Sequence, residues 1–315
     1  MEFFRKTNID FAGKRKIFFF ISAVLIFIGL IVIIFVGPEQ GIDFVGGTEI
    51  AVKFEKQVNT NDVRKAVDLT GIKGAEIKSF GKENQFIIRI KETQGASKII
   101  AEQLRKSFPN EGVEILKEDT IGAKIGKEAQ FNAYLAVALA ILAILIYIAF
   151  RFEFIFGLGA VIALAHDVIF TFAVIIVVHH LGLINLELNQ GILAAMLTVV
   201  GYSINDTVII FDRIRENKDK QKGLPFVRLI NQSINETLSR TINTVLTVVL
   251  VLMTMVILAG PVLQGFAFTM LVGIFTGTYS SIYIASSFVI WYNQKVKKIN
   301  VTGEITKKEA LSPTS

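Results

Sequence analysis

Two carboxylates lie inside long apolar runs of this chain, and they set the question of what it does. Asp206 sits within GYSINDTVIIFDRIRENK, residues 201–218, where TVIIF separates it from a charged cluster that begins at Asp212. Asp167 sits in LAHDVIF, residues 164–170, near the middle of another such run. If the helix carrying Asp206 reaches the interface near Asp212, the acid lies about 9 Å inside that end at the helical rise per residue. An ionised carboxylate facing lipid there is costly, by roughly several kcal/mol. Each acid must therefore face protein or water, pair with a cation, or hold a proton. An acid that loads and releases a proton carries charge across a membrane, and intramembrane acids are functional by default. The bland alternative is a static hydrogen bond that fixes helix packing. For Asp167, a relay site and a structural partner for polar groups on neighbouring helices both stand open.

Asp206 has polar company. Tyr202 and Ser203 lie one turn before it and Asn205 adjoins it. Residues three and four apart share a helix face, so Tyr202, Ser203 and Asp206 are expected to form a stripe towards the bundle interior. In ETLSRTINTVLTVVLVLMT, residues 236–254, Thr237, Arg240 or Thr241, Thr244 and Thr247 share one face. Arg240 stands at the entrance of that helix. Arginine keeps its charge, which makes Arg240 a durable counter-ion for Asp206; it could equally anchor the helix end by snorkelling. His166 precedes Asp167, and adjacent residues on a helix point ~100° apart, so the two side chains are not expected to meet. His166, His179 and His180 are the only histidines. No cysteine or carboxylate completes a ligand spacing around them, so no metal is expected. GIDFVGGTEI, residues 41–50, lacks the Lys-Ser/Thr of a phosphate loop and reads as a tight turn. Gly273-x-x-x-Gly277, followed by Ser280 and Ser281, reads as a helix-packing surface.

The elements that must position these residues follow from the apolar runs. The chain has 315 residues, 52% of them hydrophobic, and a mean hydropathy of +0.55. Several runs reach the ~20 residues that span a bilayer. We count six spans, at about 17–36, 131–150, 155–178, 191–211, 241–258 and 266–292. The first follows basic residues but is too long for a signal peptide and has no cleavage site, so it reads as a retained anchor. The net charge of +6 does not indicate nucleic acid, because its surplus flanks the spans: Arg5, Lys6, Lys14, Arg15 and Lys16, the segment 213–228, and the tail lysines. That bias marks one side of the membrane as cytoplasmic, with both termini and the loop 212–240 on it. The segment 179–189 contains no lysine or arginine and falls on the other side. There is no cysteine, hence no disulfide or thiol chemistry.

Residues 37–130 form a segment of ordinary soluble composition, long enough for one small domain on the outer side. Strand alternation at 48–55, 75–80, 85–91 and 113–117, a turn at 81–84, and helical spacing at 59–69 and 96–108 give the order βαββαβ. That order is the ferredoxin-like, split-βαβ arrangement. The tail 301–315 is polar and reads as disordered. The fold class is thus a polytopic α-helical membrane protein of six transmembrane helices, with a small α+β domain inserted between helices 1 and 2.

GIDFVGGTEI, RFEFIFGLGAVIALAHDVIF (residues 151–170), GYSINDTVIIFDRIRENK and LSRTINTVLTVVL (residues 238–250) together resemble the SecD/SecF family of the bacterial protein-export machinery, on its SecF side. The likeness runs in order through all six spans and the outer domain. That family is similar in turn to the RND superfamily of proton-driven exporters. The resemblance implies an RND-like half-bundle in the bacterial cytoplasmic (inner) membrane. It also implies a SecD partner, a neighbouring SecYEG channel with YajC and YidC as further candidates, and an unfolded secretory polypeptide as cargo. The work implied is late-stage outward movement of that polypeptide driven by the proton motive force, without catalysis or cofactor beyond the proton. It further implies that Asp206 carries the proton and that Arg240 partners it. One departure is Ser287, where the family often has proline; this bears only on a local kink. Two rival readings remain: an RND-type small-molecule exporter half, disfavoured by the single small outer domain, and a passive scaffold of the translocon. An enzyme is disfavoured because neither acid has the GxGD setting of an intramembrane protease.

Overall fold

The computed structural model describes residues 7–72, 74–79, 84–90, 95–259 and 261–298. In chain order the elements are α1 (Arg15–Phe35), α2 (Ile42–Val45), β1 (Gly47–Phe54), α3 (Thr60–Asp68), β2 (Glu76–Ser79), β3 (Gln85–Ile90), α4 (Ala96–Ser107), β4 (Val113–Ile121), α5 (Ala123–Arg151), α6 (Phe154–His180), α7 (Gln190–Lys220), α8 (Phe226–Leu258), α9 (Pro261–Ser280) and α10 (Ser286–Lys295). A π-helical turn, Ser281–Ala285, joins α9 to α10 into one span. Among the described residues six helices are long and apolar enough to cross a membrane. The chain is a multi-pass membrane protein.

The six spans are unequal. Within their most apolar windows α6, α7 and the α9–α10 span bury 44%, 50% and 56% of residues, whereas α1, α5 and α8 bury 11%, 6% and 11%. Three helices therefore form the packed centre and three lie around it with wide apolar faces. Glycine makes the centre tight. A Cβ on Gly273 of α9 would lie 2.1 Å from the Val199 side chain of α7, and one on Gly277 would lie 3.0 Å from the Ser203 Cβ. Small residues at such spacing let two backbones approach.

The outer domain has the expected order. Its sheet runs β2-β3-β1-β4, antiparallel throughout, with Ile50 opposite Ile88 and Ile77 opposite Ile88 on the other side. Successive side chains alternate between faces. One face, with Ile50, Val52, Phe54, Phe86, Ile88 and Ile90, packs beneath α3 and α4 as a buried core. Asn59 caps α3 by accepting from the Asn61 N–H at 2.9 Å. The opposite face carries Glu49, Lys78, Arg89 and Lys117 and turns towards the membrane bundle.

Several boundaries differ from the sequence expectation. The motif GIDFVGG is not a bare turn: Ile42–Val45 is one helical turn, ended by Gly46 and Gly47 at φ 76° and 128°. Only glycine adopts such angles freely in succession. β4 continues to Ile121 and crosses a bulge opposite Ala51/Val52. The segment 212–240 is no loop. α7 runs on to Lys220 and α8 starts at Phe226, so only a short turn separates them. Hydropathy missed these ends because their exposed faces are charged. The turn proposed at 81–84 and the tail at 301–315 lie outside the described residues, apart from Asn84.

Candidate functional site

Asp167 is wholly buried on α6. Its Oδ2 accepts from the Ser203 hydroxyl of α7 at 2.5 Å and the Ser280 hydroxyl of α9 at 2.7 Å. Its Oδ1 meets His166 Nδ1 at 3.0 Å. This corrects the expectation that His166 and Asp167 point apart: the imidazole folds back along its own helix, because side-chain torsions span the angle between neighbouring Cβ vectors. His166 also lies beside Tyr279, whose hydroxyl donates to the Phe18 carbonyl of α1 at 2.9 Å and pairs with Ser22 at 2.8 Å. The Asp167 cluster thus ties α6, α7 and α9 together, and reaches α1 through Tyr279.

Asp206 is buried on α7 and accepts from the Thr278 hydroxyl of α9 at 3.1 Å. Beside it lies a cavity of about 10 Å³ bounded by Tyr202, Thr244, Val248 and Gly277 among others. That is close to the ~10–15 Å³ which one water molecule needs. One residue further along α7, the Thr207 hydroxyl pairs with Ser281 at 2.8 Å at the start of the π turn. Such turns occur frequently at functional sites. Ser286 donates to the Ser281 carbonyl at 3.1 Å, spanning the wide turn.

The residues predicted around Asp206 divide. Ser203 is buried, but its hydroxyl serves Asp167 instead of Asp206. Tyr202 and Asn205 are exposed, so the stripe does not face inward as a whole. Thr237 is buried and donates to its own helix, to the Ser233 and Ile234 carbonyls, at 3.1 Å each. The buried Thr241 hydroxyl has no partner among the described residues. Thr244 is exposed, donates to the Arg240 carbonyl at 3.0 Å, and lines the Asp206 cavity. Arg240 is exposed on α8 and forms no ion pair with Asp206 within 4.0 Å. It is within Coulombic reach of that carboxylate but not bonded to it. The expected pair is thus open in this structure, in which Arg240 is exposed and Asp206 accepts from Thr278 alone among the described residues. Ser280 was legible only as a small residue after a packing motif and Thr278 was not singled out; their hydroxyls face the two acids.

A second polar cluster lies at the outer end. Glu39 accepts from Lys78 Nζ and from His179 Nε2, the latter at 2.9 Å. Arg89 bridges Glu187 and Glu49, the latter at 2.8 Å. Glu39, His179 and Glu187 stand with ligand-type atoms within 4.8 Å of one another, so carboxylates do gather at a histidine, contrary to the reading of spacing alone. The histidine, however, has no lone pair to give. His179 Nδ1 accepts from the Leu186 N–H at 3.1 Å, which leaves the proton on Nε2 and its lone pair absent. Lys78 and Arg89 hold the two glutamates. The cluster is an ion-pair network by its chemistry. Burial opposes the charge on Glu39, but hydrogen bonds from Lys78 and His179 hold its carboxyl down to about 2. Burial pushes Glu187 up to about 7, against the pull of Arg89.

Comparison with known proteins now bears on this geometry. A family model described as "Protein export membrane protein SecD/SecF, C-terminal" matches residues 100–295, and one described as "SecD/SecF GG Motif" matches residues 31–58, which hold Gly46 and Gly47. The Protein translocase subunit SecF of Calditerrivibrio nitroreducens is 41% identical over 290 residues, covering 90% of this chain and 93% of that protein. The protein of the same description from Helicobacter pylori is 34% identical and covers 99% of this chain and 98% of its own. Among solved structures, SecDF from Thermus, described as a translocon-associated membrane protein, has a TM-score of 0.80 at 35% identity over 92% of this chain. SecDF in a super-membrane-facing form has a TM-score of 0.67 at 34% identity over 94% of it. This chain spans 39% and 40% of those two longer chains. With six spans, one four-stranded outer domain and matches over nearly its whole length, the chain belongs to the SecD/SecF family of protein-export membrane proteins.

Proposed function

We propose that this chain is the SecF-type subunit of a protein-export translocase, and that it pairs with a SecD-type chain to draw polypeptides outward using the proton motive force. The relatives that it matches over most of their length are described as translocase subunits. The observation that carries the proton reading is Asp206, a buried carboxyl with a single hydroxyl partner beside a cavity of about one water. The partner reading rests on what flanks that cavity. The side chains of Asn205 of α7 and of Arg240 and Asn243 of α8 form no hydrogen bond among the described residues. Polar groups inside a membrane seek partners, and a second helical half supplies them.

Loss of the Asp206 charge weakens its attraction for Arg240, and recovery of the charge restores it. The α7–α8 contact is thereby biased between two packings, and Asp167 holds α6, α7 and α9 as the fixed frame; whether it also passes protons is a further part of the same reading. A charge crossing the membrane potential is worth about 2.3 kcal/mol per 100 mV, enough to shift a two-state element. In this reading the chain lies in the bacterial cytoplasmic membrane with both termini inside, and the SecYEG channel, YajC and YidC are its neighbours. The proton is its only coupling ion, and the chain is a transport component with no catalytic residue.

Asp206→Asn, co-purified with its partner and placed in proteoliposomes, is expected to lose proton-dependent export while inserting and assembling normally. Unchanged export in that variant overturns the proton reading and favours a passive scaffold.

A further inference from the structure

The outer domain meets the bundle in two places of different character. One is its stalk. β1 leaves at Gly47 and β4 returns at Ile121, and these two residues are paired. Gly46 lies so close to the return that a Cβ there would stand 2.7 Å from the Ala123 Cα. The domain is therefore attached at a single point, next to two glycines with positive φ. Such residues absorb backbone rotation. The other place is the charged cluster on the membrane-facing side of the sheet, where Glu39 and Arg89 share a cavity with Gly46 and Gly47. Lys78 of β2 and Arg89 of β3 reach Glu39 and Glu187, which belong to the bundle side. Those two glutamates are held in register with each other. The Leu188 N–H donates to the Glu39 carbonyl at 2.7 Å, and the Gly41 N–H to the Leu188 carbonyl at 3.0 Å.

We propose that Arg89 and Lys78, gripping Glu187 and Glu39, form a proton-dependent clasp that seats the outer domain on the bundle, and that the domain swings about Gly46–Gly47 when the clasp opens. The clasp does not rest on the export reading.

Charge balance makes it proton-dependent. The connected network contains five carboxylates, Glu39, Glu49, Glu76, Asp119 and Glu187, and three cations, Lys78, Arg89 and Lys117, so five against three leaves an excess of two. His179 adds no charge, since its Nδ1 already accepts a backbone N–H. Asp43 of α2, which lines the same small cavity as Glu49, Lys117 and Glu187, adds a further negative group. Glu187 is only 3% exposed and is the place where a proton relieves the excess most. Its carboxyl lies at about 7 when seated, against 4.5 for the ordinary group. The seated form therefore holds a proton that an open form, with Glu187 in water, gives up. Seating is strongest below the ordinary value and is lost as pH rises through about 7. Glu39 acts in the opposite sense but outside this window, because its contribution fades only as pH falls towards about 2.

The test uses the full chain in lipid nanodiscs. It has no native cysteine, so Lys98→Cys on α4 and Leu183→Cys on the outer loop of the bundle give two unique spin-label sites. The distance between them is read by pulsed electron spin resonance at pH 5 and pH 8. The expected result is a single distance at pH 5 and a second, distinct population at pH 8, with the seated-to-open ratio falling roughly 50- to 100-fold. Glu187→Gln, a neutral isostere, is expected to keep the single distance at both pH values. Arg89→Gln, which strips Glu187 and Glu49 of their shared cation, is expected to show the second population even at pH 5. A distribution in the parent chain that does not change with pH overturns the clasp. So does a Glu187→Gln variant that follows the parent's pH response, and this arm stands whether or not Arg89→Gln folds.

Discussion

At the scale of single residues, the two membrane acids have separate surroundings and should respond differently to the same change. Asp167 is fully buried and accepts from two hydroxyls while meeting an imidazole. Asp167→Ala leaves Ser203 and His166 without that partner, whereas Ser280 keeps the Gly277 carbonyl at 3.1 Å; each buried group so stranded costs ~1–3 kcal/mol. We expect roughly 2–6 kcal/mol of lost stability, seen as a lower midpoint in thermal unfolding of the purified chain. Asp206 has one hydroxyl partner and an adjoining cavity. Asp206→Asn should shift that midpoint little, by under about 1 kcal/mol, because a single neutral acceptor replaces what it had. The sequence located both acids, since an acid within an apolar run is conspicuous. It did not tell them apart, because the difference is made by Thr278, Ser203 and Ser280 on other helices. It also left His166 and Asp167 unconnected, since a helical wheel places Cβ atoms and not the ends of side chains.

Among elements, the closest packing is between α7 and α9. Gly273→Leu must displace the Val199 side chain, which already stands 2.1 Å from the site of a Cβ. Overpacking of a tight contact costs ~1–3 kcal/mol or more, so the variant should show reduced yield and a lower unfolding midpoint. Gly277→Ala presses on Ser203 at 3.0 Å and should cost less while disturbing the Asp167 hydrogen bond. The small-residue spacing at Gly273 and Gly277 made this surface readable from sequence. The helical ends beyond the membrane were less readable, because hydropathy registers apolar length and not helix length. Arg213 of α7 bonds Glu236 of α8 at 2.6 Å, and Asn217 bonds Ser233 at 2.9 Å, so polar contacts carry the two helices on past the lipid. The single turn of α2 escaped notice because four residues show no periodicity.

For the whole molecule, the proposed partner is expected to dock on a peripheral helix, since the packed ones have little surface left. Both α5 and α8 expose apolar residues, Leu139 and Leu142 on one and Leu250 and Val251 on the other, but α8 also exposes Thr244 at the Asp206 cavity. A photoreactive probe attached through Thr247→Cys should capture the co-purified partner, and the same probe through Leu139→Cys should capture lipid. Capture of lipid alone at both positions would remove the docking face from α8. The six spans and the βαββαβ domain were evident from the chain because both rest on short-range periodicity. The clasp was not, because Glu39, Lys78, Arg89 and Glu187 come from four separate segments and only the tertiary fold assembles them. The outer domain enters and leaves the bundle through one doorway, Gly47 beside Ile121. A module whose ends lie side by side can be exchanged for another without stretching the helices that bracket it. A replacement would still have to supply cations for Glu39 and Glu187, so the chain connection is modular while the seat beneath it is not.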